Sequence, residues 1–353
     1  MHRRALLSLL IAPAVLLAGA CSTTVSGTAQ PSAGVPASAQ DITYQNGFRE
    51  FVDTMATMRT WDPCAMHDVA GAESATGGKR QYIVPTSTVN KCQLVLTHAG
   101  DDHTWSIDVA TTFEGYLTRT YDAGDLNGTK VYRQKAPEDP NTPSFGVSCA
   151  YFFPVQEPLG IKVDVQTTAK ETRDRMCSVA DAYMTALLPK LKNPPLVSAG
   201  LTTPTISEYG KDPCLALKPA LQARPKDRGG NPNYVSGMNP YTCDMTSDPG
   251  IDKITFQFTT LFDEGGKTVT LGGHKAFVKD RMGECDYRIP VDPPIKFKVD
   301  DPKWPGYEPG MQLTMDGKCD DALATAVVAA ADAQPKATAR PDAAAVPLGK
   351  LVP

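Results

Sequence analysis

Residues Cys149–Asp164 read CAYFFPVQEPLGIKVD, and residues Cys285–Asp300 read CDYRIPVDPPIKFKVD. Both fit C-x-Y-x-x-P-V-x-x-P-x-x-x-K-V-D without a gap, and eight identities at fixed spacing mark an internal repeat. The chain is built twice, so the elements around one copy are sought again around the other. Upstream, Asp62-Pro63-Cys64 is answered by Asp212-Pro213-Cys214. In each, the aspartate suits a helix N-cap and the proline suits the first helical position, where its missing N–H costs nothing. Gly71 is the expected stop of the first of these helices, and Pro219 keeps the second short.

Between the Asp-Pro-Cys openings and the repeated stretch lie matching strands. Lys91–Leu96 and Trp105–Val109 are expected to pair as a hairpin, as are Tyr241–Met245 and Ile254–Phe258. A glycine turn follows in each copy, Leu126–Lys130 and Leu271–Lys275. The prolines of the repeated stretch belong at an edge or at a bend between two strands. Each copy closes with a helix bearing its fourth cysteine. In the first, Met176, Val179, Ala180, Tyr183, Met184 and Leu187 recur at helical spacing after a capping-box signature, Thr168-x-x-Glu171. In the second, Cys319 precedes Ala322, Leu323, Ala326, Val327 and Ala330. A short amphipathic helix is expected over Phe48, Phe51, Val52, Met55 and Arg59.

The expected class is α+β, with two related domains, each an antiparallel sheet with packed helices and two disulfides. Their bounds are set at residues 41–196 and 197–331, with Asn193-Pro194-Pro195 opening the connector. Residues 21–40 lack charge and large apolar side chains and read as a flexible tether; residues 332–353, rich in alanine and proline, read as a disordered tail.

Nine cysteines are present, and eight fall four to a copy: Cys64, Cys92, Cys149, Cys177 and Cys214, Cys243, Cys285, Cys319. Eight cysteines admit many pairings, but the repeat confines pairing within a copy. First with second and third with fourth would each tie a helix end to a nearby strand, contributing ~3–4 kcal/mol per bridge on the chain-entropy model. Zinc is disfavoured, because these intervals are far longer than finger-type ligand spacing and no C-x-x-C pair exists. No metal and no cofactor is expected.

The ninth cysteine, Cys21, is the odd one. Arg3 and Arg4 precede an apolar run, Ala5–Leu17, too short to span a membrane, so residues 1–20 read as a signal peptide. The run ends Leu17-Ala18-Gly19-Ala20-Cys21, which resembles a bacterial lipobox, with Cys21 as the lipid-attachment residue. Ala18-Gly19-Ala20 also satisfies an ordinary cleavage site, which would release a secreted form instead. Losing Arg3 and Arg4 and no acid takes the formal charge from −4 to −6. No Lys/Arg cluster with interleaved aromatics occurs, so nucleic acid is excluded as a partner.

Candidate chemistry is sparse. His98 and His103 flank Asp101 and Asp102, but the corresponding turn of the second copy has no histidine, and a solvated hairpin tip accounts for them. Asp122-x-x-Asp125-x-Asn127-Gly128 is out of register for a calcium loop. Gly146-Val147-Ser148-Cys149-Ala150 lacks the second glycine of a nucleophile elbow. Lys162 with Asp164, and Lys298 with Asp300, read as solvated ion pairs. Tyr151 and Tyr287 share a strand face with the preceding cysteine and should sit beside a disulfide, packing in the core or lining a ligand. The connection from Gly128 to Cys149 is longer than its counterpart from Gly273 to Cys285, and its polar Pro137–Asn141 segment is where binding is expected to reside, unless it is a tolerated surface insertion.

The lipobox-like ending, the Val25–Ala29 tether, the Asp-Pro-Cys opening and three later cysteines together resemble the actinobacterial, mycobacterial-type lipoproteins of unknown function. The resemblance spans most of residues 60–330; those proteins look single-domained, and the tandem copy is a departure. More loosely, the pattern is similar to the two-disulfide extracellular sensor domain of actinobacterial receptor kinases. The resemblance implies an extracytoplasmic location, an α+β fold and ligand sensing, and it carries over no catalytic residue. The expected function is non-catalytic binding or sensing of an envelope component or protein partner by a lipid-anchored lipoprotein. An envelope hydrolase with an unrecognised site, or a structural spacer, are the alternatives.

Overall fold

The computed structural model describes residues 42–86, 88–98, 103–136, 148–199, 202–203, 206–250, 252–261, 265–281, 283–292, 308–336, 346–347 and 349–350. The first copy contributes β1 (Lys79–Thr86), β2 (Thr88–Thr97), β3 (Thr104–Phe113), β4 (Tyr121–Leu126), β5 (Thr129–Gln134), β6 (Ser148–Gln156) and β7 (Leu159–Thr167). The second contributes β8 (Asn233–Asn239), β9 (Thr242–Ser247), β10 (Ile254–Leu261), β11 (Lys267–Leu271), β12 (His274–Arg281), β13 (Glu284–Pro290) and β14 (Glu308–Asp316). The sheet orders are β1-β2-β3-β7-β6-β5-β4 and β8-β9-β10-β14-β13-β12-β11, antiparallel throughout. Strand for strand the two orders are the same, so the fold is α+β and doubled.

Alternation explains why each sheet has one covered face. Ile107 and Val109 of β3 and Ile161, Val163 and Val165 of β7 are buried beneath α5 (Arg173–Lys192). The residues between them, Asp108, Lys162, Asp164 and Gln166, face the other way. In the second copy Phe256, Phe258, Met311 and Leu313 lie in a core with α8 (Asp321–Asp332). Their alternates form a polar chain on the opposite face, where Gln257 donates to Gln312 at 2.7 Å and Gln312 donates to Asp286 at 2.8 Å.

The remaining helices are short: α1 (Val52–Met58), α2 (Pro63–Met66), α3 (Val69–Thr76), α4 (Leu117–Thr120), α6 (Pro213–Ala216) and α7 (Lys218–Ala223). Asp62 caps α2 by accepting from the Cys64 and Ala65 amides, and Asp212 caps α6 by accepting from Cys214 N. Bridges Cys64–Cys92, Cys149–Cys177, Cys214–Cys243 and Cys285–Cys319 join helix ends to strands, with Cα separations of 5.1 to 5.2 Å. Among the described residues no helix is long and apolar enough to cross a membrane.

Several local expectations are corrected. Gly71 does not stop a helix; it lies inside α3, and a Cβ there would stand 2.6 Å from that of Ala186. It is the place where α3 and α5 approach closely, and the stop is Gly77, at φ 76°. The capping box is displaced too. Thr172 caps α5, while Thr168 accepts from Thr104 N at 2.9 Å and finishes the β3–β7 ladder. Among the described residues the repeated stretch can be compared in both copies only through its first half, which forms a strand in each. Tyr151 pairs with Val163 across β6 and β7, so Lys162-Val163-Asp164 belongs to the paired strand. Tyr287 pairs with Leu313 of β14, and Lys298–Asp300 lie outside the described residues. The second copy therefore reaches its last strand through a longer connection.

The two copies meet along a buried seam. Arg59 is 5% exposed and donates to Asp212 at 2.7 Å and to the Pro240 carbonyl at 3.3 Å. Its own carbonyl accepts from Tyr241 Oη at 2.7 Å and Gly210 N at 3.1 Å. Ile42 and Val89, inside the bounds drawn for the first domain, pack in the core of the second. The connector is held as well: Asp62 N donates to Pro195 O at 2.9 Å and Val197 N to Thr60 O at 2.8 Å. Among the described residues the sheets join through one bridge, Thr88 to Thr259. In the tail expected to be disordered, Val346–Pro347 pair with Thr202–Thr203, and Gly349–Lys350 pair with β1.

Candidate binding cleft

The final helices begin at different places relative to the fourth cysteine. α5 starts at Arg173, ahead of Cys177, and its first residue seals the end of the first sheet. The Arg173 guanidinium donates to the carbonyls of Gln134 and Lys135 at 2.8 Å and of Ser148 at 3.3 Å. α8 starts only after Cys319. Gly317, at φ 93°, turns the chain out of β14, and Asp320 caps the helix by accepting from Leu323 N at 3.0 Å. The helix-side ends of β11 and β12 are left uncovered, and a cleft of about 1270 Å³ opens there, with Val269 and Val278 as its apolar lining.

Charged side chains make most of the wall. Arg224 pairs with Asp320 at 3.2 Å and Arg228 with Asp252 at 3.3 Å. Asp227 accepts from Ser247 Oγ at 2.6 Å and Asn231 N at 2.7 Å, Asp321 from Tyr287 Oη at 2.8 Å, and Asp316 from Lys253 N at 3.1 Å. These carboxylates hold loops, a helix end and a tyrosine in place. Lys226, Lys267, Lys318 and Asp280 line the same cleft, are exposed to solvent and, among the described residues, carry no side-chain ion pair or hydrogen bond. Among the described residues no aromatic ring lines it. Such a site recognises a ligand by charge and hydrogen bonding more than by stacking or apolar burial.

The sequence-derived candidates are distributed elsewhere. Cys21 and the Pro137–Asn141 segment lie outside the described residues. Tyr151 and Tyr287 are buried beside their disulfides, with hydroxyls on Asp181 and Asp321. Of the eight bridged cysteines, Cys319 alone is exposed, and it lines the cleft. Asp125 accepts from Gly128 N at 2.7 Å, so the calcium-like stretch is the β4–β5 turn. His98 and His103 sit at the two ends of the β2–β3 turn, whose Asp101 and Asp102 are outside the described residues. Among the described residues no group of three or more His, Cys, Asp or Glu side chains is placed to hold a metal. Asp164 faces Asp108 across β3 and β7, burial raises its pKa, and its Oδ1 meets no donor. Among the described residues Lys162 makes no ion pair with Asp164, contrary to the expected pairing, and Lys91 bonds Asp108 at 2.8 Å.

Other buried ionisable groups belong to the fold. His67 sits with Nδ1 3.0 Å from Tyr183 Oη and Nε2 3.1 Å from Cys92 O, and burial pushes its pKa down to about 4. Glu208 and Lys211, both fully enclosed, stand 3.8 Å apart. Burial raises the Glu208 pKa despite that lysine and the hydrogen bond from Ser207 Oγ at 2.7 Å.

No family model matches this chain, nor does any curated protein. Among solved structures it is similar to the di-domain ARO/CYC StfQ from the steffimycin biosynthetic pathway, at 13% identity over 76% of this chain and 89% of that one, with a TM-score of 0.14. The di-domain ARO/CYC BexL from the BE-7585A biosynthetic pathway is similar at 10% identity, over 80% and 97% of the two chains, with a TM-score of 0.13. Likeness of that degree carries no argument about this chain.

Proposed function

We propose that this chain is a lipid-anchored, extracytoplasmic binding lipoprotein without catalytic activity, akin to the actinobacterial lipoproteins of unknown function, and that the cleft of the second copy receives its ligand. The observation that carries the reading is the set of uncommitted charges, Lys226, Lys267, Lys318 and Asp280, gathered where the first copy is sealed by Arg173. Charged groups that the fold leaves without partners remain hydrated at little cost and are available to a ligand. Four disulfides support an oxidising compartment, and Cys21 in its lipobox-like setting supplies the anchor.

Mass spectrometry of material co-purifying with the delipidated protein tests the site. The ligand should be lost from a variant carrying Lys226→Glu, Lys267→Glu and Lys318→Glu; its full retention would place binding elsewhere. Cys21→Ala should release the protein into the medium, and continued fractionation with membranes would put the anchor in another part of the chain.

A further inference from the structure

Two open sheets present four edges, each a row of backbone groups able to accept another strand. Edge β1 is covered by Gly349–Lys350, paired with Ile83 and Tyr82. Edge β8 is covered from the N-terminal side: Val235 N donates to Thr43 O at 2.9 Å, and Gln45 N donates to Val235 O at 3.0 Å. Edge β4 is exposed, but it carries Asp122, Gly124 and Asp125, which discourage an added strand.

Edge β11 is covered by no segment among the described residues and carries no carboxylate or glycine; its one charge, Lys267, stands at its first residue. It reads Lys267-Thr268-Val269-Thr270-Leu271, three of five residues β-branched, and among the described residues no strand pairs with its outer side. Gly272 and Gly273, both at positive φ, make the two-residue turn to β12. Such a turn closes on a hydrogen-bonded pair, here Leu271 and His274, and strict alternation then aims the N–H and C=O of Thr268 and Thr270 outward. On the helix side of the same strand, Lys267 and Val269 stand two residues apart in the cleft wall. Among the described residues Lys267 has no ion pair, and Val269 is half-buried.

We infer that β11 receives an extended segment of a partner protein by strand addition, with an acidic side chain opposite Lys267 and an apolar one, two residues along, opposite Val269. Backbone hydrogen bonds to Thr268 and Thr270 supply affinity, and the two side-chain positions supply selectivity. The chain already closes two of its own edges in this way, with its segments at residues 43–45 and 349–350. This inference rests on the second copy being the binding half and adds that its ligand is polypeptide.

The test uses the full chain and two synthetic peptides, TETVTETV and its charge-reversed counterpart TKTVTKTV. The acidic peptide should bind and slow amide hydrogen exchange at Thr268 and Thr270. Lys267→Glu should weaken it about fivefold and favour the basic peptide by a similar factor, as expected for a cross-strand charge pair. Thr268→Pro, which removes an outward N–H from an edge position where proline is tolerated, should abolish binding. Binding without protection at Thr268 and Thr270, or indifference to Lys267→Glu, overturns strand addition. Tripolyphosphate binding that depends on Lys226 and Lys318 but not on Thr268 would overturn it while leaving the cleft as a ligand site. Protection of both amides by self-association, with neither peptide competing, would make a second copy the occupant and overturn it equally.

Discussion

The two copies differ most at the turn before the last helix. In the first, α5 begins ahead of Cys177, and Arg173 spends its guanidinium on three backbone carbonyls at the sheet end. In the second, Asp320 caps a helix that begins after Cys319, and the strand ends beneath stay open. A helix start shifted by six residues relative to the fourth cysteine thus goes with a sealed end in one copy and a charged cleft in the other. A duplicated domain can keep one copy closed for stability and leave the other open for binding, since each retains its own core and bridges.

The comparison breaks most readily at the seam. Arg59 stands three residues before the first Asp-Pro-Cys, and Tyr209 holds that place in the second copy. Arg59→Ala leaves Asp212 without its cation in a buried setting and should cost about 4 kcal/mol. Denaturant unfolding followed by tryptophan fluorescence and circular dichroism should then give two separated midpoints; a single unshifted transition would show that the seam does not couple the copies. Next in size is the bridge exposed in the cleft. Replacing Cys285 and Cys319 by serine should cost about 3 kcal/mol. Mild reduction followed by alkylation should label this pair before the three buried ones, and a different order would remove the distinction drawn from exposure.

The first copy alone has a buried histidine after its second helix. His67 corresponds to Leu217, three residues beyond the Asp-Pro-Cys cysteine in each copy. The folded state holds His67 neutral down to about pH 4, whereas the unfolded side chain takes its proton near pH 6.5. Stability is therefore complete above about pH 6.5 and falls by up to about 3 kcal/mol as pH drops toward 4. His67→Leu, which copies the second half into the first, should flatten that part of the stability curve relative to the parent. An unchanged difference between pH 6.5 and 4 would assign the dependence to the carboxylates. The smallest effect concerns the paired tyrosines. Tyr151→Phe and Tyr287→Phe each remove one hydroxyl bond to a helix aspartate and should cost about 1 kcal/mol apiece. A marked inequality in melting would mean that the cleft beside Asp321 changes what Tyr287 does.

Much of the fold is legible because alternation and turn chemistry act locally. Lys91–Leu96 and Trp105–Val109 lie within β2 and β3, and Met176 through Leu187 at helical spacing lie on the buried side of α5. The errors share a cause in tertiary competition. Gly71 reads as a stop by propensity, but it serves the packing of α3 on α5. Thr168 reads as a cap, yet its hydroxyl is taken by Thr104. The cleft was not legible, because Lys226, Lys267 and Lys318 come from three separated segments and match no motif. Its only local trace is the pair Asp320-Asp321 following Cys319, the cap signal that starts α8 late.

The bridges join cysteines that are neighbours along the chain, with separations of 28 to 34 residues. For a polypeptide threaded outward from its N-terminus, this connectivity has a consequence for assembly. Each cysteine at the start of a bridge meets its correct mate as the next one delivered, and no thiol must be held in reserve while a competitor passes. With the Cys21 thiol, the first delivered, taken up by the proposed lipid anchor, oxidation in order of emergence gives the native set, and the first copy can be locked before the second has crossed. Export of this chain should place little demand on disulfide isomerisation.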